Sequence, residues 1–89
     1  MDKISFDFNN RTAIVTGGAQ GFGLDIAKRF LKSGCKVIIW DIDPKMSEKA
    51  VKDLNNSNLS SNIVDVSNFK EVEKTVAEIT KKTNIDILI

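Results

Sequence analysis

Thr16-Gly17-Gly18-Ala19-Gln20-Gly21-Phe22-Gly23 stands between a short apolar run, Ala13-Ile14-Val15, and a stretch with the periodicity of an amphipathic helix. A glycine-rich turn that leaves a buried strand and opens a helix is suited to hold an anion. The first N–H groups of a helix have no intrahelical partner and carry a partial positive charge. Glycines allow the sharp reversal and let a diphosphate approach where a Cβ would collide. The stretch therefore points to a dinucleotide bound at a strand–helix turn of an α/β sheet.

Spacing decides which phosphate loop this is. Gly18 and Gly23 have the separation of a P-loop, but Leu24 stands where that loop needs lysine, which argues against a nucleoside triphosphate. The G-x-G-x-x-G fingerprint fails because Ile26 follows Gly21 and Gly23 where a third glycine or alanine belongs. What remains is T-G-x-x-x-G-x-G, with Thr16 ahead of Gly17, Gly21 and Gly23. This pattern resembles the short-chain dehydrogenase/reductase family, in particular the branch that includes 3-oxoacyl carrier-protein reductases and small-alcohol dehydrogenases. The T-G-x-x-G-x-x-G form of the extended family does not match, because Gln20 occupies its second glycine position.

Two acidic residues fall where such a site needs them. The apolar run Lys36-Val37-Ile38-Ile39-Trp40 ends in Asp41, at the distance expected for the ribose-binding acid of a βαβ unit. A carboxylate there accepts from ribose hydroxyls and repels a 2′-phosphate. The competing reading, a strand-ending or helix-capping aspartate, fits Asp43 better, since Pro44 after it reads as a first helical residue. No lysine or arginine lies in the glycine loop or directly after Asp41, so NAD is expected over NADP. Asp65-Val66 follows Ile63-Val64, and the resemblance implies that its carboxylate meets the adenine amino group while Val66 lines the ring pocket. The same aspartate also suits a turn into the next helix, with Ser67 as cap. The expected cofactor-contacting set is Thr16, Gly17, Gln20, Gly21, Phe22, Gly23, Asp41, Ile42, Asp65 and Val66.

Bulk properties exclude several other classes. The 89 residues are 42% hydrophobic and 28% charged, with a net charge of +1, which gives no reason to expect nucleic acid or an anionic membrane as partner. A domain of this size buries about 60–65% of its unfolded surface. No apolar run approaches the ~20 residues of a membrane span. Asp2, Lys3 and Asp7 argue against a signal peptide, so a cytoplasmic location is the default. The single cysteine, Cys35, forms no internal disulfide and reads as a small buried residue at a helix-to-strand corner. Without histidine, no metal site of nitrogen and sulfur ligands is expected.

Alternating strands and amphipathic helices predict a parallel α/β sheet with crossover helices. The resemblance implies a partial Rossmann fold, about four strands in the order 3-2-1-4 with three crossover helices. The strands are expected at 12–16, 36–40 and 59–64, with a fourth starting near 85. The third is interrupted by Ser60, Ser61 and Asn62 and suits a sheet edge. The helices are expected at 22–33, 44–54 and 68–82. Their inner faces are Phe22, Ile26, Ala27, Phe30 and Leu31; then Met46, Ala50, Val51 and Leu54; then Phe69, Val72, Val76 and Ile79. Glu78 and Lys82 are expected to pair on the outside of the third.

The resemblance also implies what is missing. The family's chemistry is hydride transfer between nicotinamide and a carbonyl or alcohol carbon, with a tyrosine as acid/base, a lysine four residues later and a serine on the substrate oxygen. The sequence contains no tyrosine, so no catalytic residue is assigned. The fourth strand, Asn84–Ile89, runs in the family into Asn-Asn-Ala-Gly, so residues 1–89 are expected to be one truncated NAD-binding domain, a natural truncation or a fragment of a full enzyme. A non-catalytic nucleotide-binding module and a gene remnant remain as alternatives. With one helix on one face of the sheet, apolar residues of strands one, two and four are expected to stay exposed. Self-association through that face or through the strand-four edge would follow.

Overall fold

The computed structural model describes residues 11–89; the readings of Asp2, Lys3 and Asp7 lie outside them. The elements alternate as expected: β1 (Thr12–Thr16), α1 (Gly21–Lys32), β2 (Lys36–Asp41), α2 (Pro44–Leu54), β3 (Leu59–Ile63), α3 (Phe69–Thr80) and β4 (Ile87–Leu88). The four strands form one sheet in the order β3-β2-β1-β4, and every neighbouring pair is parallel. This is the doubly wound arrangement predicted from the sequence. Ile14 pairs with Ile38 on one side and Leu88 on the other, which places β1 at the centre.

Alternation along the strands separates two cores. Ala13 and Val15 of β1 with Val37 and Ile39 of β2 face α1 and α2, where Ala27, Leu31, Ala50 and Leu59 complete a buried cluster. Leu24, Ile26, Phe30, Met46, Val51 and Leu54 pack around it. Ile14 and Trp40 point the other way and meet Val64, with Val72, Val76 and Ile79 of α3 and Ile85 closing over them. Right-handed crossovers thus put α1 and α2 on one face and α3 on the other.

The single helix on the second face covers more than expected. Ile14 and Trp40 are fully buried rather than exposed. Strand alternation explains it: β1 and β2 present only Ile14, Ile38 and Trp40 to that side, flanked by Thr12, Thr16 and Lys36, and one helix spans three side chains. The expectation of exposure holds only for β4, where Leu88 is 64% exposed.

Two inner-face assignments also change. Phe22 and Phe69 are 89% and 74% exposed. Each lies in the first turn of its helix, which overhangs the carboxyl ends of the strands and has no sheet beneath it. The cap of α3 is Asn68 rather than Ser67; its Oδ1 accepts the N–H of Glu71 at 3.1 Å. Because α3 ends at Thr80, Lys82 falls in the following turn and is not on the helix with Glu78.

Cys35 is buried as expected, its thiol directed at the carbonyls of Arg11 (3.3 Å) and Lys36 (3.2 Å). Burial pushes its pKa up, which disfavours the reactive thiolate. Among the described residues no helix is long and apolar enough to cross a membrane, and no cluster of metal-ligating side chains occurs.

Candidate dinucleotide site

The predicted site residues gather at the carboxyl ends of β1, β2 and β3, where α/β sheets bind ligands. The turn after β1 is shaped by two glycines in the left-handed region, Gly17 at φ 63° and Gly21 at φ 59°. The N–H of Gly17 donates to the Trp40 carbonyl at 2.7 Å, fastening the turn to β2. Gly23 is constrained by space. A Cβ there would overlap the Gly17 carbonyl, with the carbonyl carbon at 2.7 Å and Gly18 Cα at 3.0 Å. The first turn of α1 therefore sits against the backbone of the loop that precedes it, which only glycine permits.

Gly18 is the requirement that spacing did not disclose. A Cβ at Gly18 would lie 3.0 Å from both the Ile39 side chain and the Val15 carbonyl. The residue falls at an unspecified position of the T-G-x-x-x-G-x-G pattern, so only the packing of the turn onto β2 reveals it.

The start of α1 is open toward an anion. Its N-cap, Gln20, is extended and makes no side-chain capping bond, and no acidic residue lies in the first turn. By contrast, Asp43 caps α2 by accepting the N–H groups of Lys45 (3.0 Å) and Met46 (3.1 Å), and Asn68 caps α3. An uncapped helix start that opens from a glycine turn matches the needs of a diphosphate.

Asp41 ends β2 and is 9% exposed. Its Oδ1 accepts the N–H of Asp43 at 3.0 Å and its Oδ2 accepts the N–H of Ala19 at 3.3 Å. The carboxylate is thus fixed beside the glycine turn, and an ionised carboxylate has about four acceptor positions, so two remain for hydroxyl donors. Ile42 follows it and is 64% exposed. Asp65 lies past β3, where its Oδ1 accepts both the N–H (2.9 Å) and the hydroxyl (2.6 Å) of Ser67. Those two donors hold its carboxyl below the usual aspartate value. Val66 beside it is 55% exposed, and with Phe22 and Ile42 it supplies apolar surface at this end of the sheet.

Thr16 is engaged elsewhere: its hydroxyl and its N–H both donate to the Ile89 carbonyl, at 2.7 and 2.8 Å, and tie β4 to the turn. A cleft of about 280 Å³ between α1 and α2 borders Gln20 and Gly21 but includes neither Asp41 nor Asp65, and so lies behind the turn.

Comparisons with known proteins identify the family. The model of the short chain dehydrogenase family matches residues 11–89, and the chain belongs to that family. It is 41% identical over 76 residues to a 3-oxoacyl-(acyl-carrier-protein) reductase of Chlamydia muridarum, covering 78% of this chain and 31% of that protein. It is 36% identical over 89 residues to an NAD-dependent glycerol dehydrogenase of Listeria innocua, covering 99% of this chain and 34% of the relative. A solved structure described as a short-chain dehydrogenase from Novosphingobium aromaticivorans superposes with a TM-score of 0.87 at 32% identity, over 92% of this chain and 31% of the other. The chain spans about a third of the length of these relatives. Members of the family are oxidoreductases that bind a nicotinamide cofactor.

Proposed function

We propose that residues 11–89 form the NAD(H)-binding N-terminal part of a short-chain oxidoreductase, and that these residues alone bind the cofactor without turning it over. The observation that carries the cofactor choice is the Asp41 carboxylate, fixed at the end of β2 beside the glycine turn by the N–H groups of Ala19 and Asp43. A fixed negative charge at this position accepts from a ribose diol and opposes a 2′-phosphate. The uncapped start of α1, with Gly21 and Gly23 in its first turn, receives the diphosphate. Asp65 and Val66, with Ile42 and Phe22 exposed at the same end of the sheet, take the adenine side.

The bound nicotinamide would supply hydride exchange with a carbonyl or alcohol carbon. The present residues hold and orient the adenosine half; the sequence has no tyrosine to move the proton that accompanies that exchange. The remaining reading, a non-catalytic nucleotide-binding module, shares the same site and differs only in the absence of turnover from the full gene product.

Calorimetric titration with NAD and NADP, on the chain and on Asp41→Ala, tests the choice. NAD should bind more tightly to the unmodified chain, and Asp41→Ala should weaken NAD by about tenfold or more, the equivalent of one charged hydrogen bond. Tighter binding of NADP by the unmodified chain refutes the assignment. Reproducible NADH turnover by the purified 89 residues against ketones and aldehydes refutes the inactivity.

A further inference from the structure

The outer edge of β3 carries features of an interface, and they are independent of the cofactor site. β3 ends the sheet. Val37 N–H donates to the Asn58 carbonyl (2.8 Å) and Val64 N–H to the Asp41 carbonyl (3.1 Å), so Asn58, Ser60, Asn62 and Val64 direct their backbone groups at β2. By the alternation of a parallel ladder, the groups of Ser61 and Ile63 point away from the sheet. Leu59 offers only its carbonyl there, because its N–H donates to Asn56 at 3.0 Å. Natural edges are blunted by lysine, proline or inward charge. Leu59-Ser60-Ser61-Asn62-Ile63 has none of these.

Over this edge α2 presents Pro44, Ser47, Glu48, Val51 and Lys52, which with Ser61 and Ile63 line a groove of about 470 Å³. Ser47 is 1% exposed, and its hydroxyl has no hydrogen-bond partner among the described residues. Ile63 is 48% exposed. The helix stripe carries one acid and one base four residues apart, and this arrangement is complementary to its own antiparallel copy.

We infer that a second copy of this chain pairs along β3, antiparallel about a two-fold axis through Ser61, to give one continuous sheet. Ser61 of each copy then donates to and accepts from the other, and each Ile63 N–H meets the other copy's Leu59 carbonyl. The same axis brings α2 against its mate with Glu48 opposite the other copy's Lys52. Charge is the reason for choosing a second copy over an unrelated extended peptide, which would have to supply both signs in this order.

Two measurements on the full chain test the pairing. In Ser61→Cys the new thiols face each other with Cα atoms about 5.5 Å apart, within disulfide range. Mild oxidation at micromolar protein should then give a covalent dimer at least about tenfold faster than Ser57→Cys, whose residue lies in the turn before the strand. Equal or slower cross-linking at position 61 overturns the pairing. Should Ser61→Cys fail to fold, the charges decide. In sedimentation equilibrium, Glu48→Lys should weaken self-association severalfold and Glu48→Lys with Lys52→Glu should restore it, the scale of exposed ion pairs acting twice. Association that is absent, or unchanged in Glu48→Lys, overturns the inference.

Discussion

Asp41 Oδ2 accepts the N–H of Ala19 at 3.3 Å, so the acid at the end of β2 also fixes the shape of the glycine turn 22 residues before it. Asp41→Asn retains one acceptor oxygen and turns an amide NH2 donor toward the backbone N–H of either Ala19 or Asp43, both of which are donors. Denaturant unfolding should therefore show a loss of about 1–3 kcal/mol, the range for a buried group left without its partner. A variant as stable as the parent would mean that the two N–H bonds contribute nothing net.

The two glycines of the α1 start should respond differently to alanine. Gly21 has a positive φ but nothing within 4 Å of an added Cβ, so Gly21→Ala carries only the conformational penalty, about 1–2 kcal/mol. At Gly23 the Cβ would overlap the Gly17 carbonyl, and the turn must open. Gly23→Ala should lose more stability than Gly21→Ala and also lose NAD binding by calorimetry. The reverse order would show that the loop yields easily.

Trp40 is the single tryptophan, 1% exposed, with an indole N–H that has no partner among the described residues. Its emission should be blue-shifted and resist iodide quenching until the chain unfolds. Trp40→Phe removes the orphan donor along with some volume and should cost less than about 1.5 kcal/mol. Trp40→Ala should cost about 3–5 kcal/mol, because it empties the core under α3. Equal losses for the two variants would mean that the ring volume is not what matters.

Asp65 titrates below the ordinary aspartate value because the Ser67 hydroxyl and N–H hold its charged form. A folded pKa below the unfolded one contributes stability that is fully present above about pH 4 and is lost as pH falls through the folded value. In Ser67→Ala the hydroxyl bond is removed and the N–H remains. Carboxyl NMR titration should then show the Asp65 pKa rising part of the way to its usual value. An unchanged titration would assign the effect to the backbone alone.

Most of the architecture was legible because strands and helices differ in period. Val37 to Trp40 reads as a strand covered on both faces, and Asp43-Pro44 marks the start of α2. Phe22 and Phe69 were misread for one reason. Helical period gives a direction around the axis, but burial also depends on position along it, and both residues stand beyond the strand ends. Gly18 escaped because its constraint comes from Ile39, remote in sequence, and from the Val15 carbonyl, which only the shape of the turn brings close. The bonds that occupy Thr16 come from Ile89, equally remote. Local pattern reports what a residue can do; partners distant in the chain decide what it does.

The link between Thr16 and Ile89 spans 73 residues, and Thr12 N–H meets the Asp86 carboxylate across 74. Closing so long a loop has a larger entropic cost than forming the β1–β2 or β2–β3 pair, which favours formation of those short-range pairs before β4 docks. Thr16, the first residue of the glycine turn, has its N–H and hydroxyl satisfied only once that strand has docked. With that order the sheet is largely formed while the entrance to the glycine turn is still loose, and the last pairing to form is the one that sets it.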